Sequence, residues 1–163
     1  MARVLIVGCG CRGAALGQAL RDAGHAVRAT TRRPERAEDL AALGLEPAVA
    51  DPDRLGTLLP HLQGTSVLCW LMASATGEAE AVAALHGPRL ESLLATLVDT
   101  HVRGFVYEAA GSAPRGLLED GARLVARAAA AHRIGAATVE ADPSPAGTWV
   151  EAARAAVDVA LAG

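Results

Sequence analysis

The chain has no lysine. All 15 of its basic residues are arginine, which removes every lysine-dependent chemistry at the outset. Cysteine is scarce and odd in number: Cys9, Cys11 and Cys69 do not make a disulfide framework and point to a reducing, cytoplasmic setting. Positive charge is not in excess either. The net charge of −3 and the lack of a basic stripe argue against nucleic acid as a partner. No apolar run approaches the roughly 18 residues that span a bilayer, since Arg3 and Arg12 bracket the longest early one, so no membrane partner is expected. That run, Val4 to Val7, feeds straight into glycines, which is a strand-and-turn pattern and not a leader with a cleavage site.

What is present is apolar and regular. With 52% hydrophobic residues in 163, the chain closes a core of ordinary size, and the expectation is one domain, residues 1–163, with no separate substrate domain. Short apolar runs at residues 3–7, 26–31, 45–50, 65–71, 104–109 and 136–141 read as strands. Between them lie helical stripes at residues 12–23 and 34–44, then a short one through Leu59 and a region that divides at Gly87-Pro88 and runs to about Thr100. Helices at residues 121–132 and 148–161 complete the pattern. Strict alternation predicts an α/β fold: a single doubly wound parallel sheet of about six strands, order 3-2-1-4-5-6, with helices on both faces.

The first strand ends in Gly8-Cys9-Gly10-Cys11-Arg12-Gly13 and opens a helix, which is the context a G-x-G-x-x-G needs to signal dinucleotide binding. Gly8 permits the tight turn, Gly10 lets the backbone approach a pyrophosphate, and Gly13 allows close helix–strand packing, extended by Gly17. The free N–H groups and dipole of the helix start favour an anion there. About 20 residues on, an NAD site places an acidic residue for the ribose hydroxyls. Here the second strand ends in Thr30-Thr31-Arg32-Arg33, so NADP(H) is expected over NAD(H), its 2′-phosphate paired by guanidinium groups, with Arg12 a third positive group. Positive charge at the next helix start, Arg32, Arg33 and Arg36, is otherwise unfavourable to that helix dipole.

The segment from Val4 through Gly10 to Arg32-Arg33-Pro34-Glu35-Arg36 resembles the front half of an atypical short-chain dehydrogenase/reductase. Ala50-Asp51-Pro52-Asp53-Arg54-Leu55 is similar to that superfamily's acidic turn after the third strand, and Phe105-Val106-Tyr107 to its fifth strand. The resemblance covers about two-thirds of the chain. It implies that Gly8, Gly10 and Gly13 hold the pyrophosphate, with Cys11 and Arg12 beside them. Arg32, with Thr31 and Arg33, would take the 2′-phosphate and Asp51 the adenine edge, and Leu71 and Met72 would lie near the nicotinamide ribose.

The resemblance breaks at the chemistry. The family's reductases use a Tyr-x-x-x-Lys pair, and this chain has one tyrosine, Tyr107, inside the fifth strand, and no lysine. Other polar residues expected at the carboxyl ends of strands are Ser74, Thr76, Glu108, Ser112, Asp142 and Ser144. Glu108 and Ser112 are the catalytic candidates. A carboxylate at the end of a buried strand needs a partner or a raised pKa, or it caps and orders a loop. His86 reads either as a proton donor or as an exposed loop residue. Cys11 reads as an activated thiol at a helix start or as small filler; Cys69 reads as strand core, and Trp70 either lines the nicotinamide pocket or packs under a helix. No metal site is expected, since Cys9 and Cys11 have no neighbouring ligands.

Two functions remain open on the sequence: a small atypical NADP(H)-dependent oxidoreductase acting on a small molecule, or an NADP(H)-sensing or partner-binding module without turnover. A homodimer is expected, through the helices at residues 87–100 and 121–132.

Overall fold

Six short parallel strands lie in the order β3-β2-β1-β4-β5-β6, the doubly wound arrangement that the alternating sequence predicts. The computed structural model describes all residues, Met1–Gly163. The strands are β1 (Arg3–Val7), β2 (Ala26–Thr31), β3 (Glu46–Val49), β4 (Val67–Trp70), β5 (Gly104–Glu108) and β6 (Gly135–Val139). The helices are α1 (Cys11–Asp22), α2 (Ala37–Ala42), α3 (Ala79–Leu85), α4 (Pro88–Leu97), α5 (Arg115–His132) and α6 (Ala146–Ala162). None is long and apolar enough to cross a membrane.

Alternation along the central strands builds two cores, one on each face. Val4 and Ile6 of β1, Cys69 of β4 and Val106 of β5 pack with α1 and α6. Leu5, Val7, Leu68, Trp70, Phe105 and Tyr107 point the other way, towards α4 and α5. Every residue of β4 and β5 is buried, which explains why these segments read as unbroken apolar runs.

Two expectations about helices need correction. α5 begins at Arg115, six residues before the expected start, because Pro114 sets its first turn and Gly116 and Gly121 lie within the helix instead of interrupting it. The short helix through Leu59 is two separate 3-10 turns, Leu55–Thr57 and Leu59–Leu62, the second started by Pro60. The outer faces of α4 and α5 carry Glu91, Glu119, Asp120, Arg123 and Arg127, while the large exposed apolar residues Val49, Leu59, Val98 and Val159 are scattered.

Candidate functional site

The carboxyl ends of β1 and β2 and the turn after β4 enclose a hollow of about 410 Å³, with Gly8 and Gly10 at one end and Arg32, Arg33 and Arg36 at the other. A second hollow, about 300 Å³, continues across the glycine loop to Arg12, Glu108 and Trp149. The two share Gly8, Gly10, Met72, Ser74 and Ala75, so they form one groove with the glycine loop in the middle.

The loop geometry follows from its glycines. Gly8 has φ +93°, and a side chain there would collide with the carbonyl oxygen of Leu71. Gly10 differs: a Cβ placed on it meets no protein atom within 4 Å, so the packing of the chain does not require glycine there. That open approach is what a ligand close to the backbone needs. α1 starts at the next residue with no side-chain cap and no acidic residue in its first turn, leaving its first N–H groups for an anion.

At the far end, Thr31 Oγ1 accepts the Arg33 N–H at 3.1 Å, which turns the chain sharply out of β2 and sets the arginines along the groove. Arg33 has a loose, exposed contact of 3.8 Å to Glu35, whereas Arg32 and Arg36 have no carboxylate partner. A dinucleotide fits these residues: helix N–H groups in the middle and guanidinium groups at one end. The acidic turn after β3 is arranged differently from the expectation for Asp51. Asp51 Oδ1 accepts the Asp53 N–H at 2.9 Å, so that carboxylate orders its own turn and lies outside the groove lining. Asp53, with Arg89 3.4 Å away, is the acid that lines the groove.

Glu108 is 1% exposed. Its Oε1 accepts the Ala73 N–H at 3.0 Å, and its Oε2 faces Arg12 at 3.4 Å. Burial raises its pKa, while the Arg12 charge and the Ala73 N–H pull it back. Arg12 lies 5.3 Å over the ring of Trp149, a cation–π contact, and leaves its own Nε without a hydrogen bond. Trp149 Nε1 is also buried without a hydrogen bond, although the indole is close enough to Glu108 to favour its charged form. Ser112, the other catalytic candidate, lines neither hollow. It is exposed, and its backbone N–H reaches Ser74 Oγ at 3.3 Å.

His86 is not the exposed loop histidine that its Gly-Pro neighbours suggest; it is 1% exposed. Tyr107 Oη lies 2.7 Å from Nδ1, and Nε2 lies 3.0 Å from the Met72 carbonyl oxygen. A carbonyl only accepts, so Nε2 carries the proton and the Tyr107 hydroxyl donates to Nδ1. Burial lowers the His86 pKa and raises that of Tyr107, so both stay neutral near neutral pH. Tyr107 therefore points away from the groove, into the α4 and α5 core. Trp70 packs on that face too, its Nε1 donating to the Leu85 carbonyl at 3.0 Å. Of the cysteines, Cys11 is exposed beside the groove. Burial pushes the Cys9 thiol up to about 11.

Sequence reasoning missed Asp53, Trp149 and the burial of His86 as features of this region. Only Asp53 left a local signal. Asp-Pro-Asp is a turn sequence in which the first carboxylate is taken up by the N–H two residues on.

No protein-family model and no curated protein matches the chain. Solved structures do. A short-chain dehydrogenase/reductase superfamily protein from Agrobacterium tumefaciens with bound NAD aligns at TM-score 0.67 and 21% identity, covering 83% of this chain and 48% of that one. Triphenylmethane reductase from Citrobacter sp., complexed with NADP(H), aligns at TM-score 0.65 and 19% identity, covering 85% of this chain and 48% of that one. An NADPH-dependent quinone oxidoreductase from Escherichia coli aligns at TM-score 0.58 and 19% identity, covering 85% and 46%. The shared feature is a Rossmann-like α/β fold with the strand order 3-2-1-4-5-6. Within that Rossmann fold, the chain spans about half the length of these neighbours.

Proposed function

We propose that this chain binds NADP(H) and acts as a small, atypical oxidoreductase on a small molecule. The observation that carries the reading is the groove itself: uncapped helix N–H groups at its centre and Arg32, Arg33 and Arg36 at one end, with no carboxylate at the end of β2. The adenosine half with its 2′-phosphate lies along the 410 Å³ hollow, and the acidic turn of Asp51 and Asp53, of which Asp53 lines the hollow, meets the adenine edge. The other half of the dinucleotide lies in the hollow of Leu71, Met72, Arg12 and Glu108. The nicotinamide supplies the hydride chemistry, and the chain's residues hold and orient it.

Paired titrations of NADPH and NADH on the purified, cofactor-free protein, followed by tryptophan fluorescence, test this directly. NADPH should bind well and NADH weakly. Arg32→Ala should weaken NADPH roughly ten- to hundredfold, as loss of a charge-assisted contact does, and leave NADH nearly unchanged. Equal loss for both would make Arg32 a folding residue and remove the case for the phosphate. Turnover is read from NADPH absorbance with a panel of aldehydes, ketones and quinones.

One observation favours sensing without turnover as the second reading. The only tyrosine is buried against His86 and does not reach the groove, so it cannot serve as the family's proton donor. No oxidation across the panel, with tight NADPH binding, would select that reading. The proposal includes a homodimer through α4 and α5, so light scattering at micromolar concentration should give twice the chain mass of 16.6 kDa. A mass of one chain would remove it. A cytoplasmic setting also belongs to the proposal, supported by three free cysteines, one of them exposed.

A further inference from the structure

A single peptide unit, between Met72 and Ala73, is tied from both faces of the sheet. Its carbonyl accepts from His86 Nε2 at 3.0 Å on the α3 side, with a second, longer bond from the Ala75 N–H at 3.2 Å. Its N–H donates to Glu108 Oε1 at 3.0 Å on the side of α1 and α6. His86 is itself set by the Tyr107 hydroxyl, and Glu108 is faced by Arg12. Tyr107 and Glu108 are consecutive residues of β5, so the pleat sends one side chain to each face. The strand thus reaches round both sides of the sheet and grips one peptide in the turn of its neighbour.

We propose that Tyr107, His86 and Glu108 are positioning residues that fix the Met72–Ala73 peptide as the platform for the nicotinamide end of the dinucleotide. This assignment rests on the NADP(H) reading above. With the 2′-phosphate at the arginines and the diphosphate over α1, the nicotinamide end falls in the hollow that Leu71, Met72 and Glu108 line. All three positioning side chains are 1% exposed or less, and burying such polar groups costs more than burying an apolar trio of similar size. What the polar ties add is direction: a peptide held at both its N–H and its C=O cannot turn about its axis. The Leu71 carbonyl, one peptide earlier, is the atom against which Gly8 is packed, so the same turn also sets the height of the glycine loop.

The test compares NADPH with adenosine 2′,5′-bisphosphate, which carries the arginine-end chemistry and lacks the nicotinamide half. His86→Gln, Tyr107→Phe and Glu108→Gln should each weaken NADPH by about fivefold or more and leave the bisphosphate within about twofold. Equal loss of both ligands, or loss of neither, overturns the assignment. Amide exchange of the ligand-free protein gives an independent reading. In Tyr107→Phe, the mildest variant, the Ala73 N–H should gain at least about tenfold more in exchange rate than the Val106 N–H in the sheet, which follows the global stability. Unchanged exchange at Ala73 also overturns it. If the wild-type protein binds neither ligand, the cofactor reading fails and the positioning of a nicotinamide fails with it; faster Ala73 exchange in the variant then shows the tie itself to be real.

Discussion

Gly8→Ala should leave a protein that does not bind NADPH and melts well below the wild type. The position has φ +93°, where an L-residue costs about 1–3 kcal/mol. The new Cβ would also overlap the Leu71 carbonyl oxygen and come within 2.8 Å of Met72 Cε. Met72 is flexible and moves aside. The Leu71 carbonyl belongs to backbone that is hydrogen-bonded to β1 through Leu71 N–H and the Val7 carbonyl at 2.9 Å, so relief requires β1 and the β4 turn to part. A total loss of about 3 kcal/mol corresponds to roughly 6–12 °C in a domain of this size. Gly10→Ala is the matched control. Its Cβ meets no protein atom and its φ is −88°, so the melting curve should shift by about 1 kcal/mol at most, the scale of a lost N-cap, while NADPH binding falls. Calorimetry and a titration on both variants decide it. If Gly8→Ala melts with the wild type, the loop does not rest on β4 as described.

Gly121→Ala should destabilise the protein even though alanine is favoured over glycine inside a helix by about 1 kcal/mol. Gly121 lies within α5, where the helix crosses the Tyr107 side chain, and a Cβ there would overlap the Tyr107 hydroxyl. That hydroxyl has no free direction in which to retreat, because it is bonded to the buried His86 at 2.7 Å. Overpacking of this kind costs about 1–3 kcal/mol beyond the propensity gain. Tyr107→Phe alone should cost about 1–2 kcal/mol by leaving His86 Nδ1 buried without a donor. Combined, the two changes should cost clearly less than their sum, with a coupling of about 1 kcal/mol or more, since loss of the hydroxyl removes the atom that the new Cβ overlaps most. A double-mutant cycle from urea melts measures this, and strict additivity would falsify the contact.

Features set by neighbours in the sequence were legible in it. The glycine loop, the arginines after β2 and the order of the sheet depend on short-range patterns, and the structure places Gly8, Gly10, Arg32 and Arg33 along one groove. The acidic turn at Asp51 shows where a local pattern is incomplete. The acidic turn was visible, but which of its two carboxylates is consumed by the turn depends on a hydrogen bond that the residue types alone do not assign. Glu108 and Arg12 are each legible alone, as an acid at a buried strand end and a positive group of the glycine loop, but their meeting beside Trp149 is not. Arg12 and Glu108 are 96 residues apart, and nothing in either segment names the other. Gly121 misled in a different way. The sequence pattern starts the helix at this residue, yet the helix begins at Arg115 and crosses Tyr107 here, where the tyrosine from β5 occupies the space a side chain would take.

The doubly tied Met72–Ala73 peptide has a thermodynamic consequence. It is a shared element of two otherwise separate cores, one built on α1 and α6 and the other on α4 and α5. Any ligand that binds better when this peptide is fixed gains from every contact that fixes it, including contacts on the face of the sheet remote from the groove. By reciprocity, an occupied groove stabilises the packing of α5 on Tyr107 by the same free energy. If the peptide holds the nicotinamide end as proposed, occupancy at the carboxyl edge should therefore be felt at the back of the domain, through the hydrogen bonds of His86 with Met72 and Tyr107.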